Sequence, residues 1–197
     1  AGPDQTICGD ASGVSLNGAV TVSTGGTWTS TGTGSFNPNA NTLNATYVPS
    51  AADTTAGSVT LRLTTTGNGT CNAVFDELDI TITPAPTIYA GDDQTICGDV
   101  DLYAFSATTT VATGVTWSRI GTGSFNDVNA NPTVYSISAA DKTAGSFRVI
   151  ATSTGNGTCN AVRDTVLITI TPAPTVIATS GNACADVDTV QLGGTIT

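Results

Sequence analysis

Val59, Leu61 and Leu63 alternate along the chain with Thr60, Arg62 and Thr64, and Leu78, Ile80 and Ile82 alternate with Glu77, Asp79 and Thr81. A period of two puts each apolar set on one face of an extended segment, so both segments read as strands with one buried face. Between them, TGNGTCN supplies Gly and Asn where a chain reverses direction, which predicts a hairpin. Similar short runs recur throughout, separated by Gly, Asn, Asp and Pro turns, and predict many short strands.

The pattern also repeats over a longer distance. GPDQTICGD at 2–10 returns as GDDQTICGD at 91–99, Trp28 returns as Trp117, and GTGSFN at 32–37 returns at 121–126, each 89 positions on. After a one-residue deletion, AADTTAGS at 51–58 returns as AADKTAGS at 139–146, TGNGTCNAV at 66–74 returns at 154–162, and TITPAPT at 81–87 returns at 169–175, each 88 positions on. Such a period marks tandem domains, here 1–86 and 87–174, with the start of a third copy at 175–197. Val190, Leu192 and Ile196 would find no core in so short a stub, which predicts that the native chain continues.

These features define an all-β class of tandem immunoglobulin-like sandwiches, each of about seven strands, arranged end to end as an extended rod. Trp28 is expected on a central third strand, with Phe36 and Tyr47 completing the core; Trp117, Phe125 and Tyr135 do the same in the second copy. The TPAP junctions at 83–86 and 171–174 hold two prolines each, which favour extended geometry and little swing between neighbours.

Composition narrows the function. Only 10% of residues are charged, with five Lys or Arg against fifteen Asp or Glu, no His and no Met. That excess of negative charge excludes nucleic acid as a partner and disfavours anionic membrane surfaces, and no apolar run approaches the ~20 residues that cross a bilayer. Without His, and with Lys142 replaced by Thr54 in the first copy, Ser and Thr have no base to activate them. The chain reads as no enzyme. Asp99 and Asp101, with Asp186 and Asp188, form DxD pairs that offer at most a weak calcium site at a junction, because no calcium loop surrounds them. Asp76 and Asp164 fall on the inward parity of the last strand, where they read as caps of loop amides or guards against edge pairing.

Five cysteines lie at repeat-fixed places: Cys8, Cys97 and Cys184 near the copy starts, Cys71 and Cys159 in the last hairpin. No CxxC spacing and no His favour zinc, so disulfides in an oxidising compartment are the better reading. In an immunoglobulin-like topology Cys8 follows the first descending strand, while Cys71 sits at the opposite end, a strand length or roughly 30 Å away. A disulfide tolerates about 7 Å between Cα atoms. Cys8 with Cys159 across copies is therefore preferred, leaving Cys71, Cys97 and Cys184 with partners outside the sequence. Pairing within copies, Cys8 with Cys71 and Cys97 with Cys159, stays open.

GPDQTICGD, GTGSFN, TYVPSAAD followed by AGSVTLRLTTTGNGTCNAV, and the TITPAPT junction resemble the PKD-like, immunoglobulin-like repeats of giant Bacteroidetes surface adhesins, the SprB type of gliding motility among them. The resemblance spans both copies and the partial third. It implies type IX secretion, display at the cell surface, and a long adhesive or load-bearing filament whose partners are neighbouring repeats, surface glycans or other adhesin chains. A repeat that itself binds glycan or protein, or an accessory domain of a secreted enzyme, is the alternative. Asp-Thr-x sequences at Thr54, Thr165 and Thr189 resemble the O-glycosylation signal of such exported proteins, and Asn44, Asn68 and Asn156 lie in N-x-S/T sequences.

Overall fold

The computed structural model describes residues 1–179 and 193–196. They divide into two compact units: the first comprises residues 1–89, 108–116 and 152–163, and the second 90–107, 117–151 and the described residues from 164 onward. This division cuts across the repeat boundary, since residues 87–89, 108–116 and 152–163 of the second copy belong to the first unit.

The first copy folds as seven strands in two sheets. β1 (Gln5–Cys8), β3 (Gly25–Ser30), β6 (Ser58–Thr66) and β7 (Phe75–Thr83) form one sheet in the order β1-β7-β6-β3; β2 (Val14–Ser15), β4 (Ser35–Asn37) and β5 (Thr46–Val48) form the other in the order β2-β5-β4. β6 and β7 are the antiparallel hairpin whose alternation is visible in the sequence: Val59, Leu61, Leu63, Leu78, Ile80 and Ile82 are all buried. Burial of each such side chain contributes about 1.5–3 kcal/mol. β1 pairs with β7 in parallel, Gln5 beside Ile80 and Cys8 beside Thr83. This is immunoglobulin-like connectivity, with the first and last strands adjacent and a separate three-stranded sheet closing the core.

Trp28 is buried as expected, but its strand is not central. Among the described residues β3 pairs only with β6 and forms the edge of its sheet. The indole reaches inward from that edge and its Nε1 donates to the Leu43 carbonyl at 3.1 Å, so an aromatic N–H that would otherwise be orphaned is satisfied. Tyr47 is fully buried, whereas Phe36 is half-buried, because β4 is itself an edge strand; its ring lies 5.1 Å from that of Tyr47.

The second copy has the same plan. β9 (Gln94–Cys97), β12 (Gly114–Ile120), β15 (Ser146–Thr154) and β16 (Arg163–Thr171) form a sheet in the order β12-β15-β16-β9, and β10 (Leu102–Phe105), β13 (Ser124–Phe125) and β14 (Thr133–Ser136) form the order β10-β14-β13. Trp117 and Tyr135 are buried and Phe125 is half-buried, repeating the first copy. Phe105 and Phe147 join that core as well, with the Phe147 ring stacked 4.7 Å from Tyr135. Two ribbons complete the described strands: β8 (Thr87–Tyr89) with β11 (Thr108–Thr110), and β17 (Val176–Thr179) with β18 (Gly193–Ile196).

Two short helices interrupt this all-β pattern, α1 (Ala51–Ala56) and α2 (Ala139–Ala144). The AADTTAGS and AADKTAGS segments form them because each is preceded by an N-cap serine and followed by glycine. Ser50 accepts from the Asp53 amide while the Asp53 carboxylate accepts from the Ser50 amide, a reciprocal capping box. Gly57 then ends the helix at φ 78°, a left-handed conformation that a residue with a Cβ resists. No helix among the described residues is long and apolar enough to cross a membrane.

Candidate functional site

A disulfide joins Cys8 at the end of β1 to Cys159, in the turn between β15 and β16; the two Cα atoms are 4.9 Å apart and both residues belong to the first unit. Parallel pairing with β7 puts Cys8 at the carboxyl end of that strand, beside Thr83, whereas Cys71 lies in the turn that precedes it. The nine residues of β7 span about 30 Å, so Cys8 and Cys71 occupy opposite ends of one sandwich. With both sulfurs of Cys8 and Cys159 committed, the within-copy pairs Cys8 with Cys71 and Cys97 with Cys159 do not form. Cys71 and Cys97 are free, and Cys184 lies outside the described residues.

The bridge is set in the peptide that leaves β7. Thr83 Oγ1 donates to the Ile7 carbonyl at 3.0 Å, and the Gly9 amide donates to the Thr83 carbonyl at 2.7 Å, so the chain around Cys8 is fixed to the strand end. Cys159 Sγ sits 3.6 Å from the Pro84 carbonyl; an oxidised sulfur carries no hydrogen, so this is a packing contact. The Cys159 turn is braced by its own amide donating to the Asn156 carbonyl at 3.1 Å and by Asn156 Nδ2 donating to the Ser153 carbonyl at 3.2 Å. Asp10 brings a carboxylate within 4.8 Å of both sulfurs, yet this trio is not a metal site, because disulfide sulfurs are not the thiolates that bind metal.

Each unit also buries a carboxylate that sequence reasoning missed. Asp53 is 3% exposed and Asp141 2%. Asp53 accepts from the amides of Thr33 at 2.9 Å, Gly34 at 3.0 Å and Ser50 at 3.0 Å, and from the Tyr47 hydroxyl at 2.8 Å. Asp141 has the same partners in the second copy: the amides of Thr122 at 2.8 Å, Gly123 at 2.9 Å and Ser138 at 3.3 Å, and the Tyr135 hydroxyl at 3.0 Å. Burial pushes both carboxyls up, but the amide and hydroxyl donors together outweigh it and hold both below the ordinary value of 3.8. The tyrosines respond in the opposite sense. Burial, with a hydrogen bond to the carboxylate behind it, raises Tyr47 and pushes Tyr135 up to about 12. The fit is close: a Cβ on Gly34 would lie 2.5 Å from the Tyr47 hydroxyl oxygen, and one on Gly123 2.6 Å from that of Tyr135. Chemically these clusters lock a loop, a helix and a strand together. Their carboxylates are spent on structure, with no open face for a substrate.

The remaining candidates are dispersed. Asp99 and Asp101 are exposed, and Asp101 Oδ1 accepts from Lys142 Nζ at 2.7 Å; Asp186 and Asp188 lie outside the described residues. Asp164 accepts from the Ala90 amide at 2.7 Å, a loop cap, while Asp76 is exposed despite its parity, because it precedes the buried stretch of β7. Thr54 lies in α1 with its hydroxyl donating to the Ser50 carbonyl at 3.2 Å; Thr165 is exposed on β16, and Thr189 lies outside the described residues. Asn44 is exposed, whereas Asn68 and Asn156 are half-buried in the hairpin turns.

No protein-family model matches the chain, and no curated protein matches it. Among solved structures it is similar to extracellular cadherin domains 3–6 of protocadherin gamma B2, at 14% identity and a TM-score of 0.45, covering 98% of this chain and 54% of that one. It is also similar to mouse protocadherin-24 EC1–3, at 12% identity and a TM-score of 0.47, covering 98% of this chain and 72% of that one, and to mouse cadherin-23 EC22–24, at 11% identity and a TM-score of 0.38, covering 88% and 63%. These likenesses are too distant to carry an argument, and the immunoglobulin-like assignment rests on the sheets themselves.

Proposed function

We propose that this chain is the structural repeat region of a large secreted cell-surface adhesin or filament, acting as a semi-rigid, disulfide-stabilised spacer that projects adhesive parts from the cell. The observation that carries this reading is the Cys8–Cys159 bond, which ties the first copy to the last hairpin turn of the second. Peptide and disulfide then make two separate connections between successive copies, at 1–86 and 87–174 with a third beginning at 175, and two connections resist bending where one acts as a hinge. The prolines of TPAP support the same reading by restricting the linker. The repeat wording supports placement among the PKD-like repeats of Bacteroidetes surface adhesins, with type IX export and a role in gliding or attachment. The buried carboxylates support a non-enzymatic role, because their lone pairs are already taken by amides and hydroxyls.

Small-angle scattering of the full chain with and without reductant tests the spacer. An elongated profile that broadens on reduction is expected; a compact globule, or a profile indifferent to reductant, overturns it. A spacer also binds no glycan specifically, so a saturable interaction on a glycan array would favour a recognition module instead.

A further inference from the structure

One carboxylate beside the Cys8–Cys159 bridge is left over from the packing around it. Asp10 is exposed and, among the described residues, has neither an ion-pair nor a hydrogen-bond partner. Asp4, near the start of the same copy, instead accepts from the Asp79 amide at 2.9 Å. Asp10 nevertheless has a fixed place. The Ala11 amide donates to the Cys8 carbonyl at 3.0 Å and closes a tight turn over Gly9 and Asp10, and the Gly9 amide ties that turn to the Thr83 carbonyl at 2.7 Å. Gly9 lets the turn lie this close to the strand end, since a Cβ there would meet Thr54 Cγ2 at 2.9 Å and the Thr83 carbonyl oxygen at 3.2 Å. The turn is a repeated unit: at Cys-Gly-Asp of the second copy the Val100 amide donates to the Cys97 carbonyl at 3.1 Å and the Gly98 amide to the Thr171 carbonyl at 2.8 Å.

Both bonded cysteines are shielded by the protein. Cys8 is 5% exposed and Cys159 9%, with the Pro84 carbonyl and the Thr83 hydroxyl each 3.6 Å from Cys159 Sγ. The Asp10 carboxylate lies within 4.8 Å of both sulfurs, and its exposure puts it on the solvent side of the bridge, from which a reductant must come. Thiol–disulfide exchange begins when a thiolate attacks one sulfur and the other departs as a thiolate, so negative charge is spread over the reacting sulfurs throughout. A fixed carboxylate at this distance raises the energy of that charge whichever sulfur is attacked.

We propose that Asp10 guards the bridge electrostatically, so that the charge of a thiol decides how readily it opens the Cys8–Cys159 bond: anionic thiols are repelled and cationic ones are not. The inference goes beyond the spacer reading, since it concerns the chemistry of the bond and holds whatever the array projects. In the guarded reaction a thiolate forms an S–S bond with one cysteine and expels the other; a second thiolate then breaks the mixed disulfide. Two reductant thiols are oxidised to their disulfide, and their two protons end on the Cys8 and Cys159 thiols.

The test compares the full chain with Asp10→Asn in three separate reductants at one pH: glutathione, which is net negative, 2-mercaptoethanol, which carries no charge besides its thiolate, and cysteamine, which carries an ammonium. Samples are quenched with iodoacetamide, and the remaining Cys8–Cys159 bond is measured by peptide mass spectrometry. At low salt Asp10→Asn should speed reduction by glutathione about fivefold and by 2-mercaptoethanol about twofold while leaving cysteamine within about 1.5-fold, and about 1 M salt should erase this grading. Asp10→Glu, which keeps the charge, should retain the native order. Equal acceleration by all three thiols would mean a loosened turn, and unchanged rates or rates independent of thiol concentration would mean a bridge that opens only by unfolding; each overturns the proposal. Scattering with and without reductant reports separately on the spacer reading.

Discussion

The Tyr47 hydroxyl donates a 2.8 Å hydrogen bond to the Asp53 carboxylate six residues further on, and both side chains are buried. The same pair recurs as Tyr135 and Asp141 at 3.0 Å. The tyrosine on the three-stranded sheet thereby holds the short helix, and the helix carboxylate in turn gathers the amides of the preceding glycine loop.

Removing the two partners should have unequal effects. Tyr47→Phe deletes one donor and leaves Asp53 three backbone amides, a loss of about 1.5–3 kcal/mol. Asp53→Ala strands three part-buried amides and a buried hydroxyl at once and should cost more than the tyrosine change. Urea unfolding of each variant measures the difference, and equal costs would contradict the network.

Acid sensitivity follows from the same carboxylates. Both are depressed below the ordinary 3.8 in the folded state, so the unfolded chain binds more protons in the window beneath that value. Their contribution is fully present above about pH 5 and is lost as pH falls through the folded values. The urea midpoint, measured from pH 2 to 6, should drop on the acid side, and the Asp53→Asn/Asp141→Asn variant should show a shallower drop from a lower plateau.

Alkali acts in the opposite direction. Tyr135 is raised from 10.0 to about 12, chiefly by burial, so its share of stability is complete below pH 10 and is lost as pH rises toward 12. Absorbance at 295 nm should show Tyr135 and Tyr47 ionising above the ordinary tyrosine value of 10.0. Asp141→Asn, which removes a neighbouring charge, should bring Tyr135 down.

Reducing the bridge should be costly. It closes a loop across a sequence separation of 151, and chain entropy alone assigns such a loop about 5 kcal/mol. Cys8→Ser/Cys159→Ser should therefore unfold at lower denaturant, as should the native chain in reductant. Cys71→Ser should leave the midpoint of the isolated chain within about 0.5 kcal/mol, because Cys71 is exposed and unbonded.

Strands were the readable part of this fold because period-two alternation, as in Val59, Leu61 and Leu63, is a local signal that survives without knowledge of neighbours. The edge position of β3 is not local: Trp28 reads the same whether its strand has one partner or two. The helices were hidden by brevity, although Ser50 and Asp53 with Gly57 spell a capping box and a left-handed stop once one looks for them. Burial of Asp53 was the least accessible feature. An aspartate among small polar residues reads as solvated, and only the return of the Thr33 and Gly34 amides, about twenty positions away, supplies what replaces its water. The crossing of Cys8 to Cys159 could be argued from which end each cysteine occupies, while the packing of the Cys159 turn against Pro84 needed coordinates.

Parallel pairing of β1 with β7 sets how this sandwich meets a pull. With Gln5 beside Ile80 and Cys8 beside Thr83, force applied at the start of β1 and the end of β7 slides one strand lengthwise along the other. The rungs of that ladder are strained together in shear and must fail as a group, whereas an antiparallel pair pulled at one end peels open bond by bond.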